Sequence, residues 1–245
     1  MTAKTFEEIA QGSVQVVCGG SAGSGFHLLD PKLVVTNQHV LDAGSGGEIV
    51  VSTETGDNSK ARAIVSSPAD KYDFAVLELS KKLAGKRTVF QPGSGVPDRG
   101  ADVVFAGFPH GITDLLVQRA CVAGPFGTLG FHIDGSVNGG NSGGPVVRLE
   151  DSLVVGIVTQ RRFFFDKELR ELAKQSADLT EHVNTIRMGG GSMVMMGVNF
   201  AELVGVVAAA FDLLVRTMQV NAGVGIGMAY NINWVMEGCR AAGLC

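Results

Sequence analysis

The sequence is poor in charged residues and has no long run of either sign. Charged residues make up 18% of the 245, and 20 basic residues stand against 24 acidic ones, for a formal net charge of -4. A nucleic-acid-binding domain normally carries a basic patch or stripe. We therefore expect no nucleic-acid partner. Hydrophobic residues make up 45%, which excludes disorder over most of the chain and allows a sizeable core.

Cysteine is also sparse, and its four positions lie far apart. They are Cys18, Cys121, Cys239 and Cys245, with no CxxC pair and no Cys/His spacing typical of a zinc site. We expect free thiols rather than a disulfide framework. We also expect neither a metal ion nor a cofactor.

Long hydrophobic segments are absent as well. The apolar stretch FAELVGVVAAAFDLLVRTM, from Phe200, is interrupted by Asp212, and a membrane crossing needs about 20 apolar residues. The first residues, MTAKTFEEIAQGS, lack the apolar core of a signal peptide and carry a Thr5-x-x-Glu8 capping box for a short helix. We therefore expect a cytoplasmic chain without a membrane span, or an exported one if a signal or anchor precedes these residues.

Short runs rich in β-branched residues, separated by Gly, Pro, Asp and Ser, fill residues 13–158. This pattern is typical of an all-β fold, either a barrel or a sandwich. The candidate strands are SVQVVC from residue 13, KLVVTN from 32, EIVVST from 48, ARAIVS from 61, FAVLEL from 74, DVVFAG from 102, DLLVQRACVAG from 114, GPVVRL from 144 and SLVVGIVTQ from 152. The turn-rich segment 86–100 separates two halves, which we assign as domains 1–88 and 89–245.

The pattern becomes helical after Gln160. FDKELRELAKQSADLTEHVNTI, from Phe165, places apolar residues near three- and four-residue spacing with charges between them, which predicts an amphipathic helix. The apolar stretch from Phe200 predicts a buried helix, and GVGIGMAYNINW, from Gly223, returns to strand-like residues. We therefore predict a helical insertion at about 162–221 in the second domain.

One glycine-rich loop, VNGGNSGGPVV, surrounds Ser142. A phosphate-binding Walker loop would need Lys and then Ser or Thr after its glycines, and a dinucleotide fingerprint would need a helix there. Pro145 and two valines follow instead, which predicts a strand and excludes both. The backbone N–H groups of Gly140 and Ser142 can converge on one point, as in an oxyanion hole. Such a site also needs a base and an acid that orients it.

Candidates for these two groups can be weighed one at a time. His39 ends an apolar strand and begins a short helical turn, whereas the other four histidines are more simply structural or solvent-facing: His27 in a strand at SGFHLL, His110 in a turn, His132 in GFHID and His182 on the amphipathic helix. Asp73 begins the apolar strand FAVLEL, where a buried carboxylate needs a partner. The order His39, Asp73, Ser142 would place a site in the cleft between two β-domains.

The motifs TNQHVL, YDFAVLEL and GNSGGPVV together resemble the trypsin-like serine peptidases, most closely the HtrA/Deg branch. GSGFHL, VVFAGFPHG, LVVGIVT and GVGIGMAYNINWV are also similar to that branch, so that the resemblance covers most of residues 12–160 and 222–238. It implies two six-stranded β-barrels of the chymotrypsin type, with the insertion in the C-terminal barrel.

The resemblance also implies roles for individual residues. Ser142 would be the nucleophile, His39 the general base and Asp73 the acid that orients it. The amides of Gly140 and Ser142, with Asn141 between them, would form the oxyanion hole. Thr159 would be a further hydrogen-bond partner for Asp73.

The substrate pocket is expected from the same loop and from two later strands. Ser136 and Val137 lie near the base of the family's primary pocket, Ile226 lies on the late strand, and Thr159 and Gln160 lie on the substrate-binding strand. No aspartate stands at the base, so we expect preference for small or medium apolar residues before the scissile bond. The alternative is that these side chains only fill the barrel.

Two features depart from the family pattern. Asn141 stands where trypsin has an aspartate that pairs with a freed N-terminus, so we expect no such activation switch, as in HtrA enzymes. The residues that follow 238 here are too few for the PDZ module that HtrA enzymes usually carry, so we do not expect PDZ-mediated substrate capture or allostery in this chain.

The function that follows is a serine endopeptidase acting on protein or peptide substrates. A catalytically silent or latent peptide-binding protein, gated by the insertion, stays open. An acyl-hydrolase of another fold does not fit, since a strand follows the serine where the G-x-S-x-G elbow needs a helix. The insertion is expected to gate the site or to form an interface with another copy or a regulatory partner.

Overall fold

The computed structural model describes residues 6–110, 112–163, 171, 174–175, 177–182, 185, 194–195, 198–221 and 223–245. Thr5, the first residue of the predicted capping box, lies outside them. Helix α1, Phe6–Gly12, precedes the first strand. Among the described residues, no helix is both long and apolar enough to cross a membrane.

Six antiparallel strands close the N-terminal barrel. They are β1 (Ser13–Cys18), β2 (Ser21–His27), β3 (Leu33–Thr36), β4 (Ile49–Ser52), β5 (Asn58–Ser67) and β6 (Phe74–Leu79), in the order β1-β2-β3-β6-β5-β4. Alternate side chains point inward along each strand, and valines and leucines fill the interior. These include Val14, Val16, Val34, Val51 and Leu77. Helix α2, Gln38–Asp42, follows β3 directly.

The C-terminal barrel is built in the same way. Its strands are β7 (Asp102–Gly107), β8 (Leu116–Phe126), β9 (Gly130–Asp134), β10 (Pro145–Arg148), β11 (Val154–Phe163) and β14 (Gly223–Asn231), in the order β10-β11-β14-β9-β8-β7. The prediction of two closed six-stranded barrels is confirmed. Because β11 and β14 are neighbours in the barrel, residues between them form an insertion in one connection.

The chain divides into two compact units, residues 1–161 with 225–245, and residues 162–224. Both barrels belong to the first unit. The second contains strands β12 (Val194–Met195) and β13 (Val198–Asn199) and helix α3 (Phe200–Asn221), and its described residues between 171 and 185 are helical. The assignment of domains at residues 88 and 89 stays a prediction.

Helix α3 is not the buried helix that the sequence predicts. Among its described side chains, 202–214, only Ala208 is buried, and the exposed large apolar ones are Leu203, Val206, Val207, Phe211, Leu213 and Leu214. The prediction of a buried helix was wrong because it rested on apolar composition. Composition alone does not show whether a neighbouring element packs against the helix.

A shared core joins the two barrels. Phe26 of β2 and Phe90 meet edge to face, with ring centroids 5.9 Å apart, and Val104 and Ala106 of β7 belong to the same buried cluster. The helix after β14, α4 (Asn233–Ala241), packs on this core through Val235 and its buried neighbours.

Helix α4 also reaches the start of β6 in the N-terminal barrel. The indole of Trp234 stacks on the ring of Tyr72, with centroids 4.0 Å apart and planes 10° apart. Trp234 Nε1 donates to the carbonyl of Leu129. Thus one aromatic pair ties the loop before β6 to the C-terminal barrel.

Candidate active site

Asp73 lies immediately before β6, with its side chain 1% exposed. Its Oδ2 accepts from His39 Nδ1 and from the hydroxyl of Thr159, each at 2.7 Å, and its Oδ1 accepts from the backbone N–H of His39 at 3.0 Å. Three donors offset the cost of burying this carboxylate. Its backbone φ of +47° is one that Asp and Asn adopt more readily than most residues. Asn37 Nδ2 donates to its carbonyl at 2.6 Å.

His39 lies in the first turn of α2, directly after β3 brings the chain back across the barrel. The side chain is 35% exposed, whereas its partner Asp73 is buried. Because a carboxylate only accepts, Nδ1 carries the proton, and Nε2 of the neutral ring has a free lone pair. The ring is therefore oriented as a base.

Ser142 lies in the loop between β9 and β10, on the second barrel. Its Oγ donates to the carbonyl oxygen of Thr159 in β11 at 2.9 Å. Within the described part of the chain there is no hydrogen bond between Ser142 and His39. Thr159 thus contacts both halves of the site, with its hydroxyl on Asp73 and its carbonyl on Ser142.

Two glycines in this loop have a backbone conformation that other residues rarely adopt. Gly140 has φ of +92° and Gly143 has φ of +89°. A Cβ at Gly140 would overlap the carbonyl oxygen of Phe108, and one at Gly143 would overlap that of Ser24. The N–H groups of Gly140 and Ser142 have no acceptor among the described residues. Two unpaired donors beside a serine are what an oxyanion hole requires.

Asn141 fixes the turn through its backbone. Its N–H donates to the carbonyl of Asn138 at 3.1 Å, and its own carbonyl accepts from Gly144 at 3.0 Å. The side chain is buried, and neither its oxygen nor its nitrogen has a partner among the described residues.

The residues predicted for the substrate pocket lie on β11, on β14 and in the loop between β9 and β10, and they differ in exposure. Ser136 is exposed, Ile226 is half-buried on β14, and Val137 is buried in the barrel core, where it packs against Gly227. The backbone of Gln160 continues β11, and its side chain lies outside the described residues. Val137 therefore fills the barrel interior.

Two residues with contacts to the glycine loop were missed by the sequence analysis. His110, assigned to a turn, donates its backbone N–H to the carbonyl of Gly139 at 2.7 Å, and its ring lies beside the Cα atoms of Gly139 and Gly140. The second is Ser24, in β2 of the other barrel, whose hydroxyl donates to the carbonyl of Gly140 in the loop. The GSGF and FPHG motifs were the available signals, but neither shows what it contacts.

The remaining histidines lie elsewhere. His27 is fully buried in β2, and burial, assisted by the positive charge of Arg87, lowers its pKa to about 4. His132 packs edge-on against Phe126, at 5.5 Å between ring centroids. Near the site, burial and then the charge of Asp73 raise the pKa of the Tyr230 phenol.

Two antiparallel six-stranded barrels, with a His–Asp pair on one and a serine in a glycine loop on the other, define the chymotrypsin-type class of folds. Comparison with known families agrees. The family described as Trypsin-like peptidase domain matches residues 23–157, more than half of the chain. The chain therefore belongs to the trypsin-like peptidase family.

Similar curated proteins are those of the HtrA branch. A "Probable periplasmic serine endoprotease DegP-like" of Brucella suis is 35% identical over 147 residues, which cover 56% of this chain and 27% of that protein. A Do-like 3 protease of Arabidopsis thaliana, named mitochondrial, is 31% identical over 137 residues, covering 52% and 24%. The chain thus spans about a quarter of the length of these relatives. The expectation of a cytoplasmic chain, which rested on the first residues alone, is wrong: these relatives are named periplasmic and mitochondrial.

Solved structures share the fold. The serine endoprotease from Yersinia pestis has a TM-score of 0.54 at 24% identity, over 66% of this chain and 60% of that one. Rv3671c from M. tuberculosis, in an inactive mutant form, has a TM-score of 0.58 at 17% identity, over 97% of this chain and 89% of that one. The second likeness therefore extends through almost the whole chain.

Proposed function

We propose that the chain is a serine endopeptidase that hydrolyses peptide bonds through an acyl-enzyme on Ser142. The observation that supports this most is the hydrogen-bonded pair of His39 and Asp73, because a carboxylate on Nδ1 leaves Nε2 free to take a proton. Membership of the trypsin-like peptidase family and similarity to named endoproteases agree with it.

The proposed reaction assigns one role to each group. Ser142 Oγ attacks the substrate carbonyl carbon while His39 Nε2 takes the hydroxyl proton, and the buried charge of Asp73 stabilises the imidazolium. The N–H groups of Gly140 and Ser142 bind the negative oxygen that forms. The imidazolium then protonates the leaving amine. Water, deprotonated by the same histidine, hydrolyses the acyl ester.

A latent or catalytically silent protein is the second candidate, and the bond between Ser142 and Thr159 favours it. A hydrogen bond of this kind contributes about 1 kcal/mol. Turning the hydroxyl towards His39 therefore costs less than about tenfold in rate. This is too little to silence an enzyme, so we assign the bond to a resting arrangement.

We propose small or medium apolar residues before the scissile bond. None of Ser136, Val137 and Ile226 is acidic; Ser136 is exposed and Ile226 half-buried, whereas Val137 fills the barrel interior. A peptide library analysed by mass spectrometry tests this proposal. Cleavage mainly after Val, Ala or Leu is expected, and a strong preference for Arg or Lys would contradict it.

We propose that the insertion, about 162–221, gates the site or binds another copy or a regulatory partner. The exposed apolar side chains of α3 support an interface.

The names of the relatives support a place of action outside the cytoplasm. Fractionation of native cells tests that location, which recovery in the cytoplasmic fraction alone would contradict.

The test of catalysis is the intact mass after exposure to a fluorophosphonate. The wild type should gain one adduct, and Ser142→Ala and His39→Ala should gain none. Ser80→Ala is the matched control, since it removes an exposed serine at the end of β6 opposite Asp73 and should label like the wild type. A wild type that stays unlabelled would favour the latent protein.

A further inference from the structure

Each polar group of Ser24 takes part in a hydrogen bond, and two of these bonds go to the glycine loop. It is 0% exposed on β2 of the N-terminal barrel. Its hydroxyl lies 2.7 Å from the carbonyl oxygen of Gly140 and 2.9 Å from the backbone nitrogen of Phe108. Its own N–H donates to the carbonyl of Ser142 at 2.8 Å. Its carbonyl accepts from the hydroxyl of Thr36 at 2.7 Å.

The direction of the hydroxyl bonds is fixed. Phe108 N–H can only donate, so the Ser24 oxygen accepts there, and its single proton is left for the carbonyl of Gly140. The hydroxyl of Ser24 therefore accepts a hydrogen bond from Phe108, the residue that follows β7, and donates one to Gly140 in the glycine loop.

These bonds hold the peptide groups on both sides of the Ser142 amide. A peptide group is planar, so fixing the direction of its carbonyl also fixes that of its N–H. Ser24 binds the carbonyls of Gly140 and Ser142, which flank the peptide group that carries the N–H of Ser142. The peptide group that carries the N–H of Gly140 is fixed by His110, whose backbone N–H donates to the carbonyl of Gly139.

We propose that Ser24 is a positioning residue for the oxyanion hole, and this inference rests on the proposed function. It holds residues 140–142 from the opposite barrel in the conformation that leaves the N–H groups of Gly140 and Ser142 unpaired. Without the hydroxyl, the buried carbonyl of Gly140 and N–H of Phe108 would both lose a partner. The loop would then shift to recover these bonds.

The inference is tested with Ser24→Ala in the full chain. Steady-state kinetics on a fluorogenic peptide are combined with the affinity of a peptide boronic acid that ends in the residue the wild type prefers. Its tetrahedral adduct with Ser142 places an oxygen in the oxyanion hole. We expect kcat and boronic acid affinity to fall together by roughly 10- to 100-fold, with KM changed by less than about twofold.

Ser13→Ala is the matched control. Ser13 is an equally buried serine whose hydroxyl donates to the backbone carbonyl of Ile9, on the N-terminal side of the first barrel. Its loss should lower thermal stability by a similar amount and leave kcat and boronic acid affinity unchanged. A folded Ser24→Ala with wild-type kcat and boronic acid affinity would overturn the inference, as would a change in KM alone.

Thr36→Val provides the test if Ser24→Ala does not fold. It removes only the bond to the carbonyl of Ser24 and keeps the side-chain shape. A smaller fall in kcat and boronic acid affinity, at constant KM, is expected, and no fall would overturn the inference. A wild type without turnover or fluorophosphonate labelling would overturn both proposals, whereas an active wild type with unaffected variants would overturn only this one.

Discussion

The hydroxyl of Thr159 donates a 2.7 Å hydrogen bond to Oδ2 of Asp73, and the two residues are 86 positions apart in the sequence. Asp73 lies on the first barrel and Thr159 on the second. The bond therefore makes the orientation of the acid depend on the position of β11.

Replacing this hydroxyl should weaken catalysis without abolishing it. A hydrogen bond to a charged group contributes about 1.5–3 kcal/mol, so Thr159→Val should lower kcat/KM by roughly 10- to 100-fold. Thr159→Ser keeps the donor and should retain most of the activity. Equal rates for the valine variant and the wild type would show that the other two donors orient Asp73 by themselves.

Asp73→Asn should lower kcat by about 10⁴-fold while the protein stays folded, because the amide no longer holds the histidine in the form that accepts a proton. Asn also tolerates the positive φ at this position. The control is Asp70→Asn, an exposed acid three residues earlier, which should behave as the wild type in the same assay. A fall of less than about tenfold for Asp73→Asn would remove Asp73 from its proposed role.

Gly140→Ala should abolish fluorophosphonate labelling. Its φ of +92° is strained for alanine, and the new Cβ would overlap the carbonyl of Phe108. Gly20→Ala is the control, since a Cβ there meets nothing within 4 Å. Mass spectrometry after a timed exposure compares the two variants, and normal labelling of Gly140→Ala would show that the loop tolerates another backbone conformation.

The buried His27 should make the protein less stable in weak acid. Its pKa is lowered from 6.5 to about 4 in the folded chain, so below pH 6.5 the unfolded chain binds a proton that the folded chain does not. Stability is fully present above pH 6.5 and is lost as the pH falls towards 4. Between pH 7 and pH 4.5 this single group removes about 2–3 kcal/mol.

Urea denaturation at these two pH values checks the prediction for His27. His27→Leu should lose less stability between pH 7 and pH 4.5 than the wild type does. His132→Leu, at a half-buried histidine, provides the comparison. Parallel losses in the wild type and His27→Leu would contradict the prediction.

Deletion of 165–221, bridged by a short Gly/Ser linker, should change turnover or oligomeric mass. Val206→Glu and Leu213→Glu test the interface separately, because these α3 side chains are 69% and 66% exposed. If α3 binds another copy, both variants should lower the mass measured by light scattering. Unchanged turnover and mass after the deletion would remove gating and self-association together.

The strands were predictable where a short run of mainly apolar residues has no glycine inside it. SVQVVC, FAVLEL and DVVFAG have the predicted bounds as β1, β6 and β7. The strand predicted at SGFHLL instead begins at Ser21, within a glycine-rich stretch that normally disfavours a strand. Its glycines are required by packing, since a Cβ at Gly23 or Gly25 would lie within 3.0 Å of neighbouring side chains.

The candidate site was predictable to the extent that residue type and chain order determine it. His39, Asp73, Ser142 and the two amides followed from motifs. Ser24 did not, because its proposed role comes from contacts with residues more than 80 positions away, and a serine between glycines usually indicates a turn. The direction of the Ser142 hydroxyl also depends on tertiary structure, through the carbonyl of Thr159.

The stacking of Trp234 on Tyr72 has a consequence for synthesis. The loop that carries Asp73 is supported by a helix that is translated some 160 residues after the acid itself. A nascent chain that lacks residues 233–241 already contains every proposed catalytic group but not this support. We therefore expect the proposed activity to arise only after those residues have left the ribosome.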